Sequence, residues 1–484
     1  MNVVPSKAAL LNKVSYWILL VVTALLPIFF FPISFISTQF GTSLLFSFGV
    51  IVSSILYIIS GISNGSLDLP KPARYVLGFS ALVPVVYTLA GISNGFSRMA
   101  FFGYTFDIST VGFVVLSFVY TFLVSVLFID KKKITQGYMA FGISALVFGL
   151  FAAIRIFSAG KFLSFGIFTS TTASMLGSWN NAAILFAVSA VLSLITLEMN
   201  RGLSKLVRAM LYVGLVLSLF FVALVNFAAI WVILGLVAFL FILFRMFSIY
   251  SETPVPITWV KRLSKAPRVS VAVLVLSLVF VIWSNSLGIF LADKLSVANI
   301  EVRPSFSTTM EIARSTIKEK PLFGSGPNTF VTQWLTYKPA DIVATVFWNT
   351  DFTNGIGLIP TLAVTTGLVG ILSWLLFLGF YVYLGVKSIF VRLEDGSNRY
   401  LVISTFFVSL LLWMTHFVYV PSTVLFVLTF FFTGLFFASI YMAGIIPVVN
   451  RRFNTNPKVG FVSSLVMVAS LVAVVSLGYG LFRN

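Results

Sequence analysis

Apolar runs of about twenty residues recur along the whole chain and constrain its fold more than any other feature. A helix of that length crosses a bilayer whose hydrocarbon core is about 30 Å thick. The mean hydropathy of +1.07 and the charged fraction of 9% are also far from those of a soluble protein. We therefore predict an all-α, polytopic integral membrane protein with a single membrane domain over residues 1–484.

The runs predict about twelve or thirteen transmembrane helices. The first is expected to be retained as a membrane helix, because no small-residue cleavage site precedes a second polar region. The predicted spans cover residues 15–36, 41–62, 75–93, 108–129, 136–157, 175–197, 207–225, 227–247, 270–291, 356–386, 400–418, 422–444 and 460–481.

The basic residues of the connections predict an orientation. If the N-terminus is cytoplasmic, the short connections on the opposite side carry few cations, namely Arg98, Arg155, Lys161 and Arg483. Most of the others, including the lysines at 131–133, then lie in the cytoplasm, as the positive-inside rule requires. The net charge of +18 is explained mainly by the basic residues that this topology places in the cytoplasmic connections, and it attracts anionic lipids. Because these cations are scattered among the helix ends, they do not favour nucleic acid as a partner.

One long polar segment, residues 293–353, separates the ninth and tenth predicted spans. It carries nearly half of the 13 acidic residues, whereas the other connections are short. The predicted orientation makes this segment extracytoplasmic, so we expect the chemistry of the protein there. Thr308 and Glu311 have the spacing of a capping box, which predicts an amphipathic helix over residues 308–319. Pro321 is expected to end it.

The cations of this segment allow two interpretations. The helix could lie on the membrane surface with its cations near the headgroups. Alternatively, the cations form an anion pocket, since the planar arginine fork binds two phosphate oxygens at once. The residues of this candidate pocket are Arg303, Arg314, Lys318 and Lys320.

The chain has no cysteine and one histidine, which argues against disulfides, metal–thiolate sites, thiol nucleophiles and multi-histidine metal sites. We therefore expect neither a metal nor a cofactor. The predicted spans hold few ionisable residues, and Arg155 and Arg208 lie at helix ends from which they can snorkel to the membrane surface. This pattern does not favour an ion-coupled transporter, which usually needs charges near the bilayer midplane.

Residues 320–330, 366–370 and 177–183 carry three short glycine-containing motifs. They resemble motifs of the bacterial O-antigen ligase and O-antigen polymerase family. Residues 320–330, KPLFGSGPNTF, are similar to the family's glycine-containing element in a long extracytoplasmic loop. Residues 366–370, TGLVG, resemble the start of the next membrane helix. Residues 177–183, GSWNNAA, resemble a motif at the outer mouth of an earlier helix. The resemblance covers about residues 170 to 390 in topology, although each motif is short.

The resemblance implies an enzyme of surface-polysaccharide or glycoconjugate assembly in the cytoplasmic membrane. It would move a glycan from an undecaprenyl-diphosphate carrier to a hydroxyl of a lipid, a polysaccharide or a protein. An alternative is a lipid-linked oligosaccharide flippase or another transporter, and a third possibility is a relative that only binds. The motif residues implied in substrate binding are Gly324, Gly326, Asn328, Asn180 and Asn181.

The sequence departs from this family where a base is needed, since the family's loop histidine is absent. Asp351 is a candidate base, with Asn349 and Asn354 nearby for substrate binding, but it could instead cap a helix beginning near Asn354. His416 is a second candidate, or an interfacial anchor. The aromatic residues of the segment could stack on sugars or anchor it in the headgroups; they are Trp334, Tyr337, Phe347 and Trp348.

Overall fold

The computed structural model describes residues 7–70, 73–104, 107–200, 202–252, 267–295, 297, 301–345, 347–452 and 457–482. The first half forms α1 (Lys7–Leu25), α2 (Thr38–Asn64), β1 (Ser66–Pro70), α3 (Ala73–Ser93), α4 (Arg98–Phe101), α5 (Val111–Leu127), α6 (Lys131–Phe157), α7 (Trp179–Met199), α8 (Lys205–Val225) and α9 (Ala228–Glu252). The second half forms α10 (Arg268–Ile282), α11 (Ser284–Leu295), α12 (Phe306–Glu319), α13 (Phe330–Tyr337), α14 (Ala340–Val343), α15 (Leu358–Thr365), α16 (Gly367–Phe390), α17 (Gly396–Val418), α18 (Thr423–Met442), β2 (Val448–Arg452) and α19 (Pro457–Phe482).

The apolar helices confirm an all-α, multi-pass membrane protein. Within the described part of the chain, nine helices are long and apolar enough to cross a bilayer: α1, α2, α6, α7, α8, α9, α16, α17 and α18. The pair α10 and α11, bent by 91°, is a further candidate span, and shorter apolar stretches lie in α3, α5 and α19. Each predicted span overlaps at least one of these elements, but 15–36 overlaps α1 only in part, 270–291 covers both α10 and α11, and 356–386 covers both α15 and α16. The prediction missed the two-stranded antiparallel sheet, in which Ser66 pairs with Arg452.

The connections alternate between two ends of the helix bundle. One end, called here the sheet end, carries β1 and β2 and the ion pair between Lys131 and Asp395, at the starts of α6 and α17. The other, called the loop end, carries residues 301–357. The connections predicted to lie outside the cytoplasm gather there, as the contact of Asn180 with Glu301 illustrates. Arg483 lies outside the described residues.

Two details of the polar segment differ from prediction. Its amphipathic helix begins at Phe306 and not at 308, because the N-cap is Ser305, whose Oγ accepts a hydrogen bond from Thr308 N at 3.1 Å. The helix ends at Glu319, before Pro321 as predicted. The segment also contains α13 and α14 as well as α12, whereas a single helix was predicted.

Helix α18 forms the centre of the bundle and is almost entirely buried. Its aromatic side chains pack on neighbouring helices: the Phe430 ring centroid lies 5.1 Å from that of Phe118 and 5.4 Å from that of Trp413. Edge-to-face and tilted contacts of this kind fill a core densely. The described interior is therefore packed with aromatic and aliphatic groups.

Arg155 is the fully buried cation among the described side chains, with 1% of its surface exposed. Its Nη1 donates to Gly160 O at 2.5 Å and Phe162 O at 3.2 Å, and its Nη2 donates to Phe168 O at 2.8 Å and to Ser170 O. The prediction that Arg155 snorkels is therefore wrong. The side chain turns inward because these carbonyls have no helix or strand partners, and it fastens the connection between α6 and α7.

Candidate functional site

A cavity of about 470 Å³ opens at the loop end. This volume is typical of small-molecule sites, which span roughly 300–1,000 Å³. Connections far apart in sequence build its wall. The lining residues are Gln39, Met99, Tyr104, Asp107, Ile108, Ser109, Gly177, Ser178, Asn181, Glu301, Arg303, Pro304, Asn328, Val331, Phe352, Thr353, Asn354, Gly355, Tyr419, Val420, Pro421 and Ser422.

Glu301 is held in this wall by two neutral donors. The Tyr419 hydroxyl donates to its Oε1 at 2.7 Å, and Asn180 Nδ2 donates to its Oε2 at 2.7 Å. Burial, together with the negative charge of Glu301, raises the pKa of Tyr419 well above its ordinary value. The phenol therefore stays protonated and remains a donor to the carboxylate.

The turn before α7 extends this hydrogen-bond chain. Ser178 is the N-cap of α7, and its Oγ accepts from Asn181 N at 3.3 Å and Asn181 Nδ2 at 2.8 Å. Since the Tyr419 proton points to Glu301, the Ser178 hydroxyl donates to the Tyr419 oxygen at 2.7 Å. Asn181 Oδ1 also accepts from Ser422 N at 3.1 Å, which joins the start of α7 to the turn between α17 and α18.

Arg303 lies beside this chain with most of its donors unused. Its Cζ is 4.8 Å from the ring centroid of Tyr419 and 5.3 Å from that of Phe227, so cation–π contacts orient the guanidinium. Its Nη1 donates to Val418 O at 3.2 Å. Among the described residues, no carboxylate lies within ion-pair distance of it. The other N–H groups remain available to an anion in the cavity.

Asn328 fastens the polar segment to the connection between α4 and α5. Its Nδ2 donates to Asp107 Oδ2 at 3.0 Å and Met99 O at 3.4 Å, and its Oδ1 accepts from Ser109 Oγ at 3.2 Å. Asn328 lines the cavity, but these contacts occupy much of its hydrogen-bonding capacity. Asp107 adds a second carboxylate to the wall.

Two other lining residues carry buried oxygen atoms that have no hydrogen-bond partner. These are Asn354 Oδ1 and Ser422 Oγ, and the Ser422 side chain is only 3% exposed. An unsatisfied buried polar group costs about 1–3 kcal/mol. Asn354 Oδ1 and Ser422 Oγ are therefore unsatisfied polar atoms beneath the wall of the cavity.

The glycines of the 320–330 segment pack against a break between α15 and α16. Ser325 N and Gly326 N donate to Val364 O and Thr365 O at 3.0 and 2.9 Å, at the end of α15. Leu368 N and Val369 N, at the start of α16, donate to Pro321 O and Leu322 O at 3.0 and 3.1 Å. This turn therefore satisfies both helix ends. Gly324 and Gly326, predicted to bind substrate, lie at this break and not among the residues that line the cavity.

The candidate anion pocket is not assembled as predicted. Arg314 and Lys318 are exposed on α12, and Lys320 Nζ donates to Asn94 Oδ1 at 3.1 Å. None of the three lines the cavity; of the predicted cations, Arg303 does.

Asp351 is exposed at the edge of this region, beside the lining residues 352–355. It does not cap a helix, because α15 begins at Leu358 after Gly357 and has no side-chain cap. Trp348 and Asn349 are likewise exposed and do not line the cavity.

Trp334 has neither of its predicted roles, because it is fully buried. Its Nε1 donates to Thr350 O at 2.9 Å, and its ring packs edge-on against Phe352 at 4.8 Å. Trp334 therefore fixes the positions of Thr350 and Phe352, and Phe352 is the first of the lining residues 352–355.

His416 is fully buried in α17 and does not line the cavity. Its Nδ1 lies 2.7 Å from Leu412 O, which fixes the proton on Nδ1 in the neutral ring, and its Nε2 has no hydrogen-bond partner. The ring packs against Trp413 and Phe426, with centroids 5.2 and 5.8 Å away.

Sequence reasoning missed Glu301, Asp107, Ser178, Tyr419 and Ser422 as site residues. Glu301 offered a signal, since it lies in the polar segment two positions before Arg303. The others lie in short connections whose meeting depends on the tertiary fold. Among the described residues, no three His, Asp or Glu side chains are grouped as metal ligands would be.

No protein-family model matches this chain, and no curated protein matches its sequence. Support for its function therefore comes from the residues that line this cavity, from the distribution of basic residues and from the three short motifs of the sequence.

Proposed function

We propose that the protein transfers a glycan from an undecaprenyl-diphosphate carrier to an acceptor hydroxyl at the outer face of the cytoplasmic membrane. The observation that carries this proposal is Arg303, a cation with unused donors in a cavity at the end of a membrane bundle. When the glycan leaves its carrier, negative charge develops on the diphosphate. A fixed guanidinium stabilises that charge and can bind two phosphate oxygens in one plane.

The distribution of basic residues supports the sidedness of this reaction. The sheet end carries the lysines at 131–133 and Arg399, whereas the short connections of the loop end carry few cations. By the positive-inside rule, this distribution supports a cytoplasmic sheet end and a cavity that faces the opposite side. The proposed transfer requires the cavity to be on that side.

The segments that resemble the O-antigen ligase and polymerase family also lie together at the loop end. Residues 320–326 and 364–369 exchange backbone hydrogen bonds, and Gly177, Ser178 and Asn181 line the cavity. Segments separated by long stretches of chain therefore contribute to one region. This proximity supports a ligase-like or polymerase-like reaction.

A flippase or transporter receives less support. Such a protein would need a polar route between the helices, but the described centre of the bundle is filled by α18 and its aromatic neighbours. The buried Arg155 binds loop carbonyls and does not line the cavity.

A deletion strain provides the first test. It should lose a surface glycan and accumulate the corresponding lipid-linked precursor, and the wild-type gene should restore both. The extracted precursor then serves as donor for purified protein in liposomes, with transfer measured by the mobility of the acceptor. An unchanged surface glycan and an unchanged precursor pool would refute glycan transfer.

The role of Arg303 is tested with the same donor. Arg303→Ala should lower transfer by about 10²-fold or more, as loss of a charge-stabilising donor does in other enzymes. Arg303→Lys should recover only part of the rate, because the planar fork is lost. Arg314→Ala is the matched control, since Arg314 is an exposed arginine outside the cavity. Equal rates in the two alanine variants would remove Arg303 from the mechanism.

A further inference from the structure

We propose that Glu301 is the general base of this transfer, with Tyr419 and Asn180 as its positioning residues. The inference rests on the proposed glycan transfer and names the group that takes the acceptor proton. A sugar hydroxyl is a weak nucleophile, and a positioned base typically contributes about 10²–10⁴-fold to such a step. The candidates predicted from sequence, Asp351 and His416, do not line the cavity, whereas Glu301 does.

The carboxylate of Glu301 is oriented without being neutralised. Tyr419 and Asn180 each donate one hydrogen bond to it, at 2.7 Å in both cases. Each carboxylate oxygen can accept more than one hydrogen bond, so both keep capacity for an incoming hydroxyl. No cation lies within ion-pair distance of Glu301 among the described residues. A base needs this combination of a fixed position and a free lone pair.

Tyr419 links this base to the cation of the site. Its hydroxyl contacts Glu301, and its ring face lies 4.8 Å from the Arg303 guanidinium. One side chain therefore sets the positions of both the proton acceptor and the group that binds the leaving diphosphate. The other lining carboxylate, Asp107, lies in the connection between α4 and α5, where it accepts from Asn328 Nδ2 at 3.0 Å.

The reaction then proceeds as one displacement. The acceptor O–H proton moves to the Glu301 carboxylate while the acceptor oxygen forms a bond to the anomeric carbon of the donor sugar. The bond from that carbon to the diphosphate oxygen breaks, and its electron pair leaves on the diphosphate. Arg303 stabilises this charge, and the protonated Glu301 later returns its proton to solvent.

The test separates chemistry from binding in purified protein with the extracted lipid-linked donor. Glu301→Gln keeps the size of the side chain and can still accept the Tyr419 hydrogen bond, so donor affinity should stay within about twofold while kcat falls about 10²–10⁴-fold. Glu301→Asp keeps a carboxylate and should retain more activity than Glu301→Gln. In Glu301→Ala, added formate should restore part of kcat, which would not follow from loss of a merely structural contact.

Tyr419→Phe isolates the positioning role, because it removes the hydroxyl and keeps the ring beneath Arg303. We expect kcat to fall about tenfold with the donor KM unchanged, and Asp351→Asn, the exposed carboxylate control, to match wild type. Transfer by the wild type together with full kcat in Glu301→Gln would overturn the inference and leave the proposed function intact. Should Glu301→Gln fail to accumulate, full kcat in Glu301→Ala without added formate would overturn it. Absence of transfer by the wild type would refute the proposed function itself.

Discussion

Gly324 and Gly367 are packed backbone against backbone. A Cβ atom on Gly367 would lie 2.5 Å from Gly324 N, and one on Gly324 would lie 2.7 Å from Gly367 N. Both residues also have positive φ, +60° and +63°. This contact joins the turn after α12 to the break between α15 and α16.

We therefore expect Gly324→Ala and Gly367→Ala to destabilise the protein. The positive φ alone costs about 1–2 kcal/mol, and forcing the backbones apart adds about 1–3 kcal/mol. Thermal unfolding in detergent measures the loss, and limited proteolysis within residues 320–330 locates it. The control is Gly379→Ala on α16, where an added Cβ meets no atom within 4 Å. Equal melting temperatures for all three variants would contradict this account of the turn.

Sidedness can be measured by cysteine labelling, because the chain has no native cysteine. Ser307 is exposed at the loop end, and Ser397 is exposed at the sheet end. In intact cells, Ser307→Cys should react with a membrane-impermeant maleimide, and Ser397→Cys should react only after permeabilisation. Ser325 also lies at the loop end, but it is unsuitable for labelling because it is buried. The reverse labelling pattern would place the cavity in the cytoplasm.

Replacing Ser422 by alanine should weaken donor binding without lowering the stability of the protein. Its buried hydroxyl has no partner, so Ser422→Ala should leave the free energy of unfolding unchanged or raise it by up to about 1 kcal/mol. If this oxygen receives a sugar hydroxyl, the same change should raise the donor KM about fivefold, as loss of roughly one hydrogen bond would. Thermal unfolding and transfer kinetics measure the two effects. A fall in stability with an unchanged KM would show that the hydroxyl serves the fold and not the substrate.

Replacing Asp351 or His416 should not cause the loss of transfer expected from replacing a catalytic base. Because Asp351 is exposed outside the cavity, Asp351→Asn should keep transfer within about threefold of wild type. His416 is buried and contacts Leu412 O, so His416→Gln should lower stability by about 1–3 kcal/mol without a selective loss of kcat. A stable Asp351→Asn variant without transfer would restore Asp351 as the base.

The sequence predicts the helices well because their signal is local. Hydropathy locates each span, and Pro321 marks the end of α12. Hydropathy does not reveal the break at Thr366, since the apolar run is continuous there, although the resemblance of residues 366–370 to a helix start indicates one. That break depends on hydrogen bonds with a turn far away along the chain, in which Pro321 O and Leu322 O accept and Ser325 N and Gly326 N donate.

The sequence predicts only part of the site, because contacts between distant connections leave no local signal. Arg303, Asn181, Asn328 and Asn354 were proposed as binding residues, and all four line the cavity. Glu301 and Tyr419 were not, although their side chains touch at 2.7 Å, because one precedes α12 and the other follows α17. A carboxylate can be held by hydrogen-bond donors, as Glu301 is, or be exposed, as Asp351 is. Which of the two occurs depends on the connections that meet in the folded protein.

The pairing of β1 with β2 has a consequence for the order of synthesis. β1 leaves the ribosome long before Val448–Arg452 is made, and at about 5–20 residues per second its partner follows roughly 20–80 s later. Helix α19 follows β2, and its Gly478 packs close to Ile51 of α2. The strand between α2 and α3 therefore has to wait for Val448–Arg452 to be made before it can pair, and completion of the bundle there depends on β2 and α19.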